Sequence, residues 1–519
     1  MLEAAMPHRQ GLPRDAIGCL PNTLEEWIAA DNPVRVIDAF VDSLNLGALG
    51  FTRVIPADTG CPAYPASCLI KLYLYGYTNG LRASRKLERE TQRNIEVMWL
   101  LGGLTPDHHT IADFRKEQPA ALRAICQQFT QFCKDLELFG GELVAVDGSQ
   151  FAAVNSRQRN FTIDSVKKRL GYLAAALARY SKELDEHRRR VLSLPSERVA
   201  DLKTKLEQLG QRRERYQTIQ AQLEANKTSQ ISLTDPDARS MPTGNATMIA
   251  YNVQIAVDDK HHLIVAEAVT NEVTDKHQLF PTARAAQETL GVESLEVVAD
   301  GGYYDGEQVQ RCAAHGLTVY VPKPRTSANH KQGLFTKDHF AYDAEQDVYR
   351  CPAGQELTYR FSTVEDGRPM RYYAAAVCRT CSLKPRCTRN QGNRRLTRWE
   401  YEAISDAMAK RIRDQPERVK LRKQLAEHPF GTFKRGFGFG YFLLKGLVKV
   451  AAEVSLMVFA YNFKRAVNIL GVLKLLAALR EHVSDLLFSA RWRLSNLLAM
   501  FLNDVQTLFT EFSHSLALC

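Results

Sequence analysis

Over roughly the first 140 residues, apolar side chains recur at helical spacing. LEEWIAADNPVRVIDAFVDSLNL, PASCLIKLYLYGYTNG and LRASRKLERETQRNIEVMWLL each read as helix, and Pro106 opens a further run, PDHHTIADFRKEQPAALRAICQQFTQFCKDLELF. Asp107 stands where a helix cap belongs. His108 and His109 read as capping or packing residues, because no carboxylate or cysteine beside them completes a coordination set. At residue 142 the period changes. Leu143 to Val146 form a buried strand in ELVAVDGSQ. IAYNVQIAVDDKHHLIVAEAVTNEV predicts a hairpin, with strands Ile249 to Val257 and His262 to Thr270 about a turn at Asp258-Asp259-Lys260. There follow a helix near Gln278 to Thr289, a strand Leu295 to Ala299, a tight turn at Gly301-Gly302, a helix Gly306 to Ala314 and the short strand in LTVYVPKP. This order predicts a mixed α/β sheet with helices against it.

Two insertions interrupt the pattern. In the first, roughly 160–240, Val199, Leu202, Leu206, Leu209, Tyr216 and Leu223 fall near heptad spacing. That predicts an antiparallel helical hairpin broken near Pro195, either a solvated arm or a dimerisation arm. The second, roughly 325–415, carries Cys351, Cys378, Cys381 and Cys387. From Arg371 to Trp399 it has eight basic residues (Arg371, Arg379, Lys384, Arg386, Arg389, Arg394, Arg395 and Arg398) and no acidic one, which reads as a phosphate-contacting strip. The four cysteines, with one C-x-x-C pair, suggest a structural zinc site. The chain closes with apolar helical stripes from VKVAAEVSLMVFAYNFKR onward, which read as core or interface packing.

Composition narrows the picture. A chain of 519 residues calls for several domains, and 45% apolar with 24% charged residues excludes wholesale disorder. Basic residues outnumber acidic ones 68 to 58, a net charge of +10 that weakly favours a polyanionic partner. The N-terminal MLEAAMPHRQGLPRD lacks the basic start and apolar run of a signal peptide. The most apolar stretch, Val448 to Ala460, is short for a membrane span and is interrupted by Lys449 and Glu453. The expectation is a cytoplasmic protein without a membrane partner, whose eleven cysteines form no disulfide framework.

Two aspartates carry the chemistry. Asp147 in VAVDG and Asp300 in VVADGG each follow an apolar strand and precede a glycine, which permits close approach. Carboxylates at the C-terminal ends of neighbouring strands make a Mg²⁺ site. A third carboxylate is needed nearby. Glu427 in RKQLAEHPFGTFKRG shares a helix face with Lys434 if the helix continues past Pro429; Glu453, in an apolar helix, is the rival.

These pieces, in order, resemble the DDE-type transposases of bacterial insertion sequences. GYTNGLRASRKLERETQRNIEVMWLLGGLTPDHHTIADFRK resembles that family's N-terminal block; VAVDGS, VVADGGYYDGEQV and AEHPFGTFKR, the last followed by GLVKVAAEVSLMVFAYNFKR, resemble its three catalytic motifs. The resemblance implies an all-helical N-terminal domain (1–140) for DNA binding or assembly, a ribonuclease-H-like catalytic domain (141–465) holding both insertions, and C-terminal helices (466–519). It implies Asp147, Asp300 and Glu427 as catalytic ligands of Mg²⁺ or Mn²⁺, with Lys434, Arg435, Lys423, Arg394 and Arg395 on DNA phosphates. The family signature places Tyr, Arg and Lys around the glutamate where this chain has Lys420, Lys423 and Lys434, so only the last matches. Glu453 falls in a tail motif read as structural support. The implied reaction is strand cleavage at the element's ends and strand transfer into target DNA, by a homodimer on paired double-stranded ends in the cytoplasm, at the nucleoid. The alternatives are a ribonuclease-H-like endonuclease, a transposase-derived DNA-binding protein, or an interaction protein built on the helical segments.

Overall fold

The computed structural model describes residues 23–482 except 52–62, 190–192, 194, 226, 227, 229, 245, 325 and 326. Its contacts divide the chain into two units, residues 1–117 with 466–519, and residues 118–465. The expected C-terminal helices lie outside the described residues from 483 onward.

The first unit is helical: α1 (Val34–Asp42), α2 (Ala66–Thr78), α3 (Ser84–Arg93), α4 (Ile95–Leu100) and α5 (His108–Glu117). Helix α2 is apolar on nearly every face and is correspondingly the buried centre, with Ile70, Leu72, Tyr73, Leu74 and Tyr77 inside. Arg115 of α5 is buried against it, donating to the Tyr77 hydroxyl and the Arg82 carbonyl. Asp107 caps α5 through the His109 and Thr110 N–H groups and the Thr110 hydroxyl, bonds that hold its carboxyl down to about 2. His108 bonds Glu88 at 2.9 Å. The two histidines thus serve the capping and packing expected of them.

The second unit opens with α6 (Pro119–Asp135), whose Phe129 packs on Phe459 and Phe463. The contact division accordingly places α6 in the second unit. The central sheet is built from β1 (Leu143–Ala152), β2 (Arg239–Thr243), β3 (Ala246–Asp258), β4 (Ile264–Thr270), β5 (Leu295–Val298) and β6 (Leu317–Tyr320). Its order is β2-β3-β1-β5-β6, with β4 beside β2 on the outer edge of β3. β1, β3 and β4 are antiparallel; β5 and β6 run parallel to β1. This is a ribonuclease-H-like mixed sheet. Helix α9 (Leu279–Leu290) connects β4 to β5 and α10 (Gly306–Ala314) connects β5 to β6.

The first insertion is the expected antiparallel hairpin, α7 (Ile163–Arg188) and α8 (Ser196–Ala225). Arg169 bonds Tyr216 at its base and Glu183 pairs with Arg198 at its far end. Val166, Leu173, Leu202, Ile219 and Leu223 are buried between the two helices and the short strand pair 160–162 and 230–232. The second insertion is a separate antiparallel sheet in the order β11-β10-β9-β8-β7, from β7 (Ala341–Asp343), β8 (Val348–Arg350), β9 (Glu356–Glu365), β10 (Arg368–Ala374) and β11 (Arg395–Trp399). Its core is small: Phe340, Tyr349, Leu357, Tyr373, Ala375 and Leu396.

The chain then forms α11 (Glu402–Asp414), α12 (Pro416–Gly431) and α13 (Leu447–Leu470). Asn462 of α13 clamps β4 by accepting from the Ile264 N–H and donating to its carbonyl. Glu453 is fully buried and accepts from the Leu443 N–H at 3.0 Å and from the Leu444 N–H. It fixes the loop before α13, the supporting role expected of this motif. No single helix among the described residues is long and apolar enough to cross a membrane.

Removing the Glu453 carboxylate strands those two backbone donors. Glu453→Leu is expected to destabilise the protein by about 2–4 kcal/mol, read as a lower urea midpoint, whereas Glu427→Gln should leave that midpoint unchanged. Equal midpoints for the two variants would contradict this division of roles.

Candidate active site

Strand β1 outlasts its apolar run. It continues through Ala152, and Asp147 lies inside it, paired with Ile255 of β3. On the other edge the parallel ladder with β5 stops at Ala145 opposite Val298. Asp147 therefore sits where one neighbour ends and the other continues. Two residues past each member of that last pair stand Asp147 and Asp300, so strand alternation sends both to the same face.

That face is covered by α12. Leu425 and Ala426 pack on Leu143, Ala145 and Val298. One turn back from Ala426, the same helix face carries Arg422. Its guanidinium stands 3.1 Å from Asp147, 3.7 Å from Asp300 and 3.5 Å from Glu427. Three carboxylates that are 280 positions apart in sequence at the extremes, Asp147 and Glu427, thus converge on one cation. The arrangement is open on one side: the Asp147 side chain is 13% exposed, Asp300 46% and Glu427 58%. Burial pushes the Asp147 carboxyl up to about 6, against the pull of Arg422 and the Gly148 N–H; Asp300 and Asp275 push the same way. Asp300 also accepts from the Gly302 N–H at 2.8 Å, which fixes the turn after β5.

Pro429 does not end the helix. α12 runs through it to Gly431 and then widens into a π-turn over Thr432–Gly436, a feature frequent at functional sites. The π-turn delivers Lys434, whose ammonium donates to the Ser149 hydroxyl at 2.6 Å, two residues from Asp147. Burial lowers the Lys434 pKa. Arg435, Lys423 and Lys420 are exposed.

Beneath the sheet lies a buried polar network that sequence reasoning missed. Asn252 and Gln254 of β3 both donate to Asp275 at 2.7 Å, and the buried Tyr303 hydroxyl donates to Gln254. Gly148 covers it: a Cβ there would stand 2.4 Å from Gln254 Nε2 and 2.8 Å from Asp275 Oδ1. The glycine after Asp147 is required for close approach. The available signal was Asn252 and Gln254, two polar residues on one face of an otherwise apolar strand. Arg422 was also missed. Its signal was an arginine in the apolar stripe of Val419, Leu425 and Ala426.

The basic run of the second insertion is less free than its sequence suggests, because acids from elsewhere reach it. Arg371 pairs with Asp347 and Arg398 with Asp406. Arg394 is turned inward, bonding the Cys387 and Phe335 carbonyls and lying over Phe340. That geometry corrects the reading of Arg394 as a phosphate contact. Arg379, Arg386, Arg389 and Arg395 are exposed. Cys351, Cys378, Cys381 and Cys387 line one hollow, none in a disulfide.

Two family models match the chain: Transposase domain (DUF772) over residues 22–117 and Transposase DDE domain over residues 350–467. The chain has the domain architecture of a DDE-type transposase. The second match contains Glu427 and Arg422; Asp147 and Asp300 fall between the two matches and are placed by the fold. No curated protein sequence matches this chain. Among solved structures it is similar to the piggyBac transposase in a synaptic complex with hairpin DNA, at 8% identity over 89% of this chain and 82% of that one, with a TM-score of 0.30 that carries no argument.

Divalent ions are general to the DDE family, and Asp147, Asp300 and Glu427 are the hard oxygen donors here that could hold Mg²⁺ or Mn²⁺. As the side chains stand, no three His, Cys, Asp or Glu groups among the described residues are at ligating spacing. Arg422 occupies the space between the carboxylates.

Two outcomes test this geometry. Gly148→Ala is expected to cost about 1–3 kcal/mol in urea unfolding, by forcing apart Gln254 and Asp275. Asp147→Asn, measured at pH 8 without divalent metal, should unfold at higher urea than wild type, by an amount on the order of 1 kcal/mol. The sign follows from a folded carboxyl pKa above the unfolded one: the cost of charging Asp147 is absent below the unfolded value and complete above the folded one. A lower midpoint for the Asn variant would mean that the aspartate is a structural residue.

Proposed function

We propose that this transposase cleaves DNA strands at the ends of an insertion sequence and joins them to target DNA, with Asp147, Asp300 and Glu427 as its catalytic carboxylates. The convergence of those three groups on Arg422 carries the reading. The three carboxylates would hold Mg²⁺ or Mn²⁺, which when bound supplies an activated hydroxyl nucleophile and charge stabilisation for the departing 3′ oxygen.

The chain's own residues do the rest by positioning. Asp147 is held in the middle of a paired strand, so it is the rigid member of the set. Asp300 is held by its turn, and Glu427 projects from the facing helix into solvent, where a bound strand would lie. Lys434, beside Ser149, and the exposed Arg435 and Lys423 would hold backbone phosphates near the carboxylates. Arg422 neutralises part of the charge on the three carboxylates, and its planar fork would suit a DNA phosphate brought to the site. The exposed Arg395 of the second insertion would contact DNA outside the site. Transposition requires two ends, so the working form is a homodimer on paired double-stranded DNA, acting in the cytoplasm at the nucleoid.

The test is cleavage of a labelled fragment spanning the gene's own flanks, in Mg²⁺ or Mn²⁺. Wild type is expected to nick at a defined end and then to join that end to a second duplex. Asp147→Asn, Asp300→Asn and Glu427→Gln should each lose at least about 100-fold in rate while retaining DNA binding. Nicking without joining would move the reading to an endonuclease of the same fold. Binding without nicking by wild type would make the chain a transposase-derived DNA-binding protein.

A further inference from the structure

We propose that the second insertion is stapled by a structural zinc ion held by Cys351, Cys378, Cys381 and Cys387. The four come from three separate pieces of backbone, and local geometry turns each toward the same hollow. Cys351 begins a tight turn in which its N–H bonds the Gln355 carbonyl and its carbonyl accepts from Gly354, whose φ of 72° needs glycine. Cys378 and Cys381 flank a 3₁₀ turn, and Cys387 ends the short helix Lys384–Cys387 that follows. All four are half-buried with free thiols and line the hollow together with Phe335, Phe340 and Leu383. The other described cysteines, Cys68, Cys126, Cys133 and Cys312, are buried singly in the cores.

Two further observations point to an ion. The first is mechanical. Between Ala375 and Arg394 the chain has little regular structure, and the sheet it joins has a core of only six residues. Lobes with so few apolar contacts are commonly held by disulfides or a metal, and no disulfide is present among these cysteines.

The second is electrostatic. A divalent ion bound by four thiolates carries a net charge of −2 and needs cations around it. Two members of the acid-free basic run, Lys384 and Arg394, line this hollow, and Arg394 is pinned by the Cys387 and Phe335 carbonyls. Metal binding would draw the sulfurs inward and release one proton from each. On this view Lys384 and Arg394 belong to the metal site.

The experiment uses purified full-length protein under reducing conditions and needs no DNA. Zinc content should be about one ion per chain. Chelation should remove it and release four additional thiols to a thiol reagent. Co²⁺ added to the metal-free protein should give the thiolate-to-cobalt charge-transfer band and the intense visible absorption of a tetrahedral site. Cys381→Ser and Cys387→Ser should each reduce zinc to near none, while Cys312→Ala and Asp147→Asn keep it. Should the serine variants fail to fold, the Co²⁺ spectrum of the wild-type chain decides alone. Absence of zinc, absence of the cobalt bands, and four thiols that titrate equally with and without chelator would overturn the proposal while leaving the carboxylate site untouched.

Discussion

Mutual repulsion among carboxylates is the constraint around which the second unit is arranged. Asp147 and Asp300 emerge side by side from neighbouring strands, Glu427 faces them from a helix, and Asp275 lies just beneath. Nothing in a folding core favours such a gathering. It persists because the sheet and α12 are held by other forces: Leu425 and Ala426 against Leu143, Ala145 and Val298, and the edge of β4 clamped by Asn462. Arg422 then supplies one positive charge where several negative ones meet. A site that is costly when empty of counter-charge and rigidly framed is the kind that binds cations strongly, because the protein has already met the cost of bringing the ligands together.

The frame also explains the division of labour between two glutamates that look alike in sequence. Glu453 is enclosed and spends its oxygens on the backbone N–H groups of Leu443 and Leu444, so it fixes the chain's entry into α13. Glu427 stands in the open above the strand ends, 58% exposed, with the edge of the Arg422 guanidinium 3.5 Å away. The first carboxylate is satisfied by the fold; the second is satisfied only in part, and it is the second that has oxygens to offer to an ion or a substrate.

Much of this was legible in the sequence where periodicity was strong. The hairpin of β3 and β4, the helices α9 and α10 and the paired α7 and α8 all have clean periods and appear within a few residues of their expected limits. Asp147 and Asp300 were legible because each follows an apolar strand and precedes glycine. The extent of β1 was not, since GSQFA beyond the aspartate has no alternation of its own and is strand only because β3 runs alongside it. The insertion sheet escaped for a similar reason: β7 and β8 have three residues each, too few to show a period, and β9 is exposed along most of its length. Arg422 and the Asn252–Gln254–Asp275 network are products of tertiary approach. A polar residue in an apolar stripe marks such positions, without naming the partner.

The charge distribution teaches the same lesson in a different currency. A run of eight basic residues with no acid among them invites a nucleic acid as its partner. Folding brings Asp347 and Asp406 to two of those residues and turns a third, Arg394, toward the Cys387 and Phe335 carbonyls. What remains exposed in this lobe is a smaller set of arginines, Arg379, Arg386, Arg389 and Arg395. Local charge counts overstate a binding surface whenever the fold can recruit counter-ions from distant segments. The basic residues that bear on phosphate recognition are those the fold leaves exposed near the carboxylates, and by that criterion Lys423 and Arg435 rank above Arg394.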